Sequence, residues 1–189
     1  FPEIQFNNYL KDGDALTPGS IVCQLNGELP TLLKIERVLL NFLQHLCGIA
    51  TVTSQFVAAL NDPNIKILDT RKTTPLLRFI EKQAVIAGGG ANHRYSLNDM
   101  VLVKENHFSH LSINEFNSFF PHASQQFKKK HPDKQICFEV ETLDQIERLL
   151  LHNVDIILFD NFSLSEIPIA VKQCKGKIPV VAGTGSNST

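Results

Sequence analysis

"ICFEVETLDQIERLLLHNVDIILFDN", residues 136–161, carries the grammar of the fold. The runs 136–140 and 155–159 are short, β-prone and largely apolar, and 142–151 between them has a helical pattern. A strand, a helix and a second strand in so short a span predict two parallel strands joined by a helical crossover. Strands that are apolar throughout fit a sheet buried on both faces.

The same alternation extends outward. Further β-prone runs stand at 65–68, 100–103 and 177–181, and further helical patterns at 74–86, 112–130 and 163–173. The predicted fold class is α/β. Nearly every predicted strand ends in polar or charged residues. The first ends at Asp69-Thr70-Arg71-Lys72 and the second at Lys104-Glu105-Asn106-His107. The third places Glu139 near its end, the fourth ends at Asp160-Asn161, and the fifth reaches Thr184 in a Gly-rich turn. In a β/α barrel such ends converge on one face, where the active site lies. Charges also mark ordinary strand-to-loop boundaries, but successive ends of this kind favour a shared face. A complete eight-unit barrel takes about 250 residues. Five strand candidates therefore predict an incomplete, TIM-like α/β barrel, truncated relative to the full fold.

Upstream, "KDGDALTPGSIVCQLNGELP" (11–30) is dense in turn signals around the alternating "SIVCQL", which predicts short strands joined by tight turns. From Pro30 the apolar period becomes helical, with Gly48 interrupting it. Two consecutive helices or one kinked helix are expected up to Leu60. The domain reading is 1–48 as the remainder of an N-terminal α/β domain with its connecting helix. Residues 49–189 form a partial barrel carrying the active-site strand ends.

The 189 residues are 43% hydrophobic and 20% charged, enough to bury a core. A net charge of −1 argues against broad electrostatic binding to nucleic acid or an anionic membrane. Continuous apolar runs fall short of the ~20 residues of a membrane span. Cys23, Cys47, Cys137 and Cys174 show no C-x-x-C spacing, which predicts free thiols in a reducing, cytoplasmic setting.

"GGGANHR" (88–94) reads either as a backbone that approaches a ligand closely, with His93 and Arg94 as anion donors, or as a helix C-cap and loop. Arg37 sits among apolar helical neighbours and points to a partly buried acceptor or snorkels at the surface. His107 and His110 are discounted as zinc ligands, since a second ligand cluster is lacking. "FKKKHPDK" (127–134) reads as a solvated helix end whose lysines suit the helix dipole.

Six stretches in order, "IERVLLNFLQHLCGIAT" (35–51), "LDTRKTTP" (68–75), "AVIAGGGANHR" (84–94), "LVKENH" (102–107), "FEVET" (138–142) and "ILFDNF" (157–162), resemble quinolinate phosphoribosyltransferase. The resemblance covers roughly residues 7–178. It implies an α/β domain followed by an open α/β barrel, in a homodimer or higher homo-oligomer. It also implies transfer of phosphoribosyl from phosphoribosyl pyrophosphate to quinolinate, with loss of CO2, and a need for Mg2+. By position, Arg37, Thr70, Arg71, His93, Arg94 and Lys104 match quinolinate-binding positions, and Lys72 one between the substrates. Glu139 and Asp160 match the acidic positions near the ribose and magnesium. The end of the chain departs from the family's Glu-x-Ser-Gly-[GN] turn. Ala182 stands at the Glu, Thr184 at the Ser and Gly185 at the first Gly of that phosphate-binding turn. The alternatives are a catalytically incompetent fragment that keeps only an anion-binding surface, a related pyridine phosphoribosyltransferase, and, further off, a Schiff-base lyase using Lys104.

Overall fold

The structure, a computed structural model, describes residues 3–108, 110–152, 154–174 and 176–183. The chain divides into two compact units, Phe1–Tyr95 and Ser96–Thr189.

In the first unit, β1 (Gln5–Asn8) pairs antiparallel with β2 (Cys23–Asn26), from Gln5↔Asn26 to Asn8↔Cys23. The turn-rich segment between them bends at Gly13 and Gly19, whose φ angles of 92° and 89° suit glycine. The chain then enters α1 (Leu29–Leu60) with Pro30 in the first turn and leaves it at Asn61 in the left-handed region, φ 47°. Of the two expectations, two helices or one kinked helix, the chain forms a single helix through Gly48. A glycine costs about 1 kcal/mol within a helix, and the periodic residues on both sides carry α1 through it.

By length and composition alone, α1 is long and apolar enough to cross a membrane. Its apolar residues are not continuous: Gln44, His45 and Thr51 interrupt them without ending the helix. A second helix, α2 (Arg78–Ala87), packs on α1. Gly88 closes α2, donating its N–H to Ala84 O at 3.0 Å. A Cβ on Gly88 would run into Ala50 O and into Thr53 Cβ at 2.7 Å. Gly88 thus caps α2 and lets it approach α1 closely.

The predicted strand 65–68 is reduced to a single parallel bridge, Leu68↔Ala91. Ala91 N–H donates to Ile67 O (2.8 Å) and Asp69 N–H to Ala91 O (3.1 Å). Beyond Ala91 the ladder ends: the His93 N–H donates to the Asp69 carboxylate instead of to a strand partner.

The second unit contains β3 (Met100–Val103), α3 (Glu105–Phe108), α4 (Ile113–Lys130), β4 (Gln135–Val140), α5 (Leu143–Leu149), β5 (Ile156–Asp160), α6 (Ile167–Cys174) and β6 (Val180–Gly183). The strands form one parallel sheet in the order β3-β4-β5-β6. The last strand starts later than 177 because Lys177 and Ile178 donate their N–H groups to Cys174 O and close α6. Capping boxes fix two helix starts: Ser112 with Glu115, and Thr142 with Gln145. His107 accepts the Lys104 N–H at Nδ1 (3.1 Å) and so belongs to the turn after β3. No closed barrel forms among the described residues.

One face of the sheet presents Ile136, Phe138, Val140, Ile157 and Phe159 to a core completed by Phe116, Phe120, Ile146, Leu149 and Ala170. Phe138 is fully buried and meets Phe120 edge-on, with centroids 4.7 Å apart. Burying side chains of this kind contributes about 1.5–3 kcal/mol each. Alternation along the strands turns Glu139, Leu158 and Asp160 to the opposite face.

Candidate active site

In the first unit the candidate residues gather around Asp69. Its carboxylate Oδ1 accepts the His93 N–H at 2.8 Å and forms a close ion pair with Lys82. Lys82 Nζ also donates to His93 O at 3.2 Å. With its amide nitrogen turned toward Asp69, Asn92 donates to Asp69 Oδ2 (2.6 Å) and to Lys82 O (3.1 Å). The side chains of Lys82 and Asp69 are only 2% and 6% exposed. Two full charges are therefore buried together, a pairing that needs further hydrogen bonds to offset its desolvation. His93 and Asn92 supply them.

The segment after Asp69 is held by side chains rather than by a ladder. Thr70 Oγ1 accepts the Lys72 N–H (3.0 Å). Arg78 reaches Thr73 Oγ1 with Nε (3.2 Å) and Arg71 O with Nη2 (3.3 Å). Glu81 Oε2 accepts the Thr74 N–H (3.1 Å), and its Oε1 lies 2.8 Å from His45 Nε2 on α1. Leu76 adopts φ 66° and is fully exposed. A bulky residue there is strained, and such strain persists only where surrounding contacts impose it. Within this arrangement Arg71 Nε and His93 Nε2 are buried without a hydrogen-bond partner.

Electrostatics follow from these neighbours. Burial lowers the His93 pKa below its ordinary value; the Arg94 and Lys82 cations add to that, and Asp69 opposes it. Burial works to raise Glu81, but the hydrogen bonds from Thr74 and His45 outweigh it and hold the carboxyl below its ordinary value.

In the second unit the sheet register brings Lys104 and Glu139 side by side beyond Val103↔Phe138, and Lys104 Nζ lies 3.3 Å from Glu139 Oε1. Asp160 stands one same-face step further along β5, with Gly183 as its neighbour on β6. A Cβ on Gly183 would meet Asp160 Oδ1 at 3.9 Å. The cavity lined by Phe108, Phe116, Arg148 and Leu149 shares no residue with this set.

The structure thus gathers Thr70, Arg71, His93 and Arg94 around one turn network, and Lys104, Glu139 and Asp160 at adjacent strand ends. Lys72 and Arg37 are exposed, Arg37 on the first half of α1. Thr184 and Gly185 lie outside the described residues. Lys82, Glu81 and Arg78 escape the sequence reading because they lie inside an ordinary amphipathic helix. The one available signal was a Glu-Lys pair among otherwise mainly apolar positions of 79–86.

A model of the quinolinate phosphoribosyl transferase N-terminal domain matches residues 1–47, and one of the C-terminal domain matches residues 49–186. The chain belongs to the quinolinate phosphoribosyl transferase family. A Bacillus subtilis protein described as a probable nicotinate-nucleotide pyrophosphorylase [carboxylating] is 43% identical over 151 residues, 80% of this chain and 50% of its own length. A Synechocystis protein of the same description is 36% identical over 182 residues, 95% of this chain and 59% of its own. The crystal structure of NadC from Streptococcus pyogenes has a TM-score of 0.82 at 42% identity, covering 100% of this chain and 64% of that one. The nicotinate-nucleotide pyrophosphorylase from Francisella tularensis gives 0.86 at 34%, covering 99% and 65%. The chain therefore spans between half and two thirds of the length of these relatives.

Proposed function

We propose that this chain carries the substrate-binding and catalytic residues of a decarboxylating quinolinate phosphoribosyltransferase of NAD biosynthesis. The reaction joins quinolinate to phosphoribosyl pyrophosphate and releases nicotinate mononucleotide, pyrophosphate and CO2. The observation that carries the reading is the pair of buried, unpartnered nitrogens, Arg71 Nε and His93 Nε2, in a turn network braced by Asp69. A buried donor left unpaired costs about 1–3 kcal/mol, and a pyridine dicarboxylate supplies matching acceptors. Family membership supports the same assignment.

In this proposal Arg37, Thr70, Arg71, His93, Arg94 and Lys104 bind quinolinate through its carboxylates, since planar cationic forks suit them. Lys72 serves between the substrates, and Thr184 with Gly185 takes a phosphate. Glu139 and Asp160 are the candidates to hold Mg2+. Two carboxylates on adjacent strands fit that ion, which takes few protein ligands and completes its shell with phosphates and water. Among the described residues no cluster of three or more His, Cys, Asp or Glu side chains is placed to hold a metal, so the ion would depend on substrate oxygens. When bound, it would neutralise charge on the pyrophosphate.

The residues' own work follows from their charges. Lys104 fixes the direction of Glu139 through the ion pair between them. Glu139 and Asp160 stabilise the positive charge that develops at the ribosyl carbon as its bond to pyrophosphate lengthens. The pyridine nitrogen forms the new bond to that carbon, and the ring becomes cationic. It then accepts the electron pair released when the adjacent carboxylate leaves as CO2, and a proton replaces it. The proposal includes a homodimer or higher homo-oligomer, a partial TIM-like barrel over 49–189 following an N-terminal part at 1–48, and a cytoplasmic setting away from membranes.

The test is calorimetric titration of the purified chain with quinolinate and with nicotinate, followed by an assay for nicotinate mononucleotide with phosphoribosyl pyrophosphate and Mg2+. Preferential binding of quinolinate is expected. Arg71→Ala and Lys104→Ala should each weaken it by about tenfold or more, the scale of a lost charge-assisted hydrogen bond. Equal affinity for the two acids would redirect the assignment to another pyridine substrate. Unchanged affinity in both variants, with the fold intact, would overturn the site.

A further inference from the structure

The sequence and the family reading leave Lys82 without a role, yet it is among the largest buried side chains of the described residues, at 2% exposure. A lysine is rarely sequestered unless its charge is met. Here Asp69 and His93 O meet it, from the two segments that carry the proposed quinolinate-binding residues Thr70, Arg71, His93 and Arg94. Asp69 in turn grips the backbone of the second segment at the His93 N–H and its side-chain level at Asn92. Lys82 thus bonds to His93 O while its counter-ion bonds to His93 N, so both polar groups of one peptide unit's residue are held by one buried ion pair. Replacing such a pair by apolar side chains is often neutral or favourable for stability, so stability alone is a poor reason to bury it here.

We propose that the Asp69–Lys82 pair is a positioning device for the reaction: it fixes the backbone of His93 so that the imidazole and the neighbouring Arg94 face the quinolinate carboxylates. This rests on the proposed function, and it adds two positioning residues on which the binding residues depend. Neither touches substrate. Asp69 acts through the His93 N–H and Lys82 through the His93 carbonyl. The pair also explains why a lysine is buried on α2: its position in the helix lets Nζ reach the His93 carbonyl as well as Asp69.

The experiment is calorimetry on the whole chain with quinolinate and, separately, with phosphoribosyl pyrophosphate. The variants are Asp69→Asn/Lys82→Met, which removes both charges together, and Asn92→Ala, which trims one donor and buries no lone charge. His93→Ala and Arg94→Ala serve as controls on the site itself. The double variant is expected to weaken quinolinate about tenfold, as a lost set of charge-assisted bonds does. Phosphoribosyl pyrophosphate affinity should change by less than about twofold, the usual behaviour of an uncoupled site. Asn92→Ala should weaken quinolinate about threefold, in keeping with one neutral donor. A purely structural pair would lower the melting temperature and leave both affinities of the folded protein unchanged, and that result overturns the inference. If the double variant does not fold, Asn92→Ala decides in the same way by its quinolinate affinity. Should His93→Ala and Arg94→Ala themselves leave quinolinate binding intact, the functional reading fails, and the positioning role falls with it. Weakened controls with unaffected Asp69, Lys82 and Asn92 variants would overturn the positioning role alone.

Discussion

The two units bury opposite kinds of residue. In the second, the buried set is apolar apart from Ser124 and includes Phe138, Val140, Ile146, Ile157 and Phe159 at 0% exposure. In the first, the buried residues among those described are Thr53, Glu81, Lys82 and Ala84 among non-glycines, so polar and charged side chains outnumber apolar ones. Leu33, Val38, Phe42 and Phe56 stand exposed on α1. The second unit is held by a general force, apolar burial, which tolerates any packing that fills space. The first is held by directed contacts: Glu81 to Thr74 and His45, Lys82 to Asp69 and His93. Directed contacts fix particular backbone atoms, which is what the proposed quinolinate site asks of the segments carrying Arg71, His93 and Arg94.

The comparison breaks most visibly in the apolar core. Phe138→Ala is expected to destabilise the second unit by about 3–5 kcal/mol, the range for deleting a buried aromatic ring. Its ring contacts Phe108, Phe116 and Phe120, with centroids 4.7 to 6.1 Å away, and these cannot all collapse into the space. Denaturant titration followed by far-UV circular dichroism measures the loss; a change below about 1 kcal/mol would mean the core repacks freely. A smaller effect is expected from Gly88→Ala, about 1–3 kcal/mol by overpacking. The added methyl meets Ala50 O, a backbone atom, and Thr53 Cβ, so α2 must move off α1. Because α2 carries Glu81 and Lys82, this variant should also weaken quinolinate binding. A destabilised variant with undiminished affinity would break the link between α2 and the turn network.

Unlike the polar network, the sheet was open to reading from sequence. Strand 100–103 matches β3 residue for residue, and 136–140 and 155–159 each fall within one residue of β4 and β5. Buried parallel strands announce themselves as apolar runs, since both faces must leave water. The 65–68 run looked the same and yielded one bridge, because beyond Ala91 the His93 N–H goes to the Asp69 carboxylate instead of to a strand partner. At Gly48, where the sequence allowed either two helices or one, propensity at a single residue was overridden by the periodicity around it. Thr70, Arg71, Lys104, Glu139 and Asp160 were visible as polar or charged residues at strand ends, and His93 and Arg94 as the close of the glycine-rich stretch 88–94. Their supports, Arg78, Glu81 and Lys82, were not, because a buried lysine and a snorkelling one look alike in sequence.

The finest distinction between the units is electrostatic. His93 has a folded-state pKa below its ordinary value, chiefly through burial and then through the Arg94 and Lys82 cations. In the unfolded chain the imidazole returns to about 6.5. The unfolded state therefore binds more protons as pH falls through that region, and stability rises with pH wherever this is so. The contribution is fully present above about pH 6.5 and is lost as pH falls through the lower folded-state value. Thermal melts between pH 7.5 and 5 should show a modest fall in stability that His93→Gln flattens, since glutamine keeps a polar side chain without titrating. Glu81 loses its own contribution only at lower pH, as its depressed carboxyl protonates, so the two are separable along the same titration. An unchanged slope in His93→Gln would show that the imidazole is not held neutral by its surroundings, and the charge environment drawn around Asp69 and Lys82 would need revision.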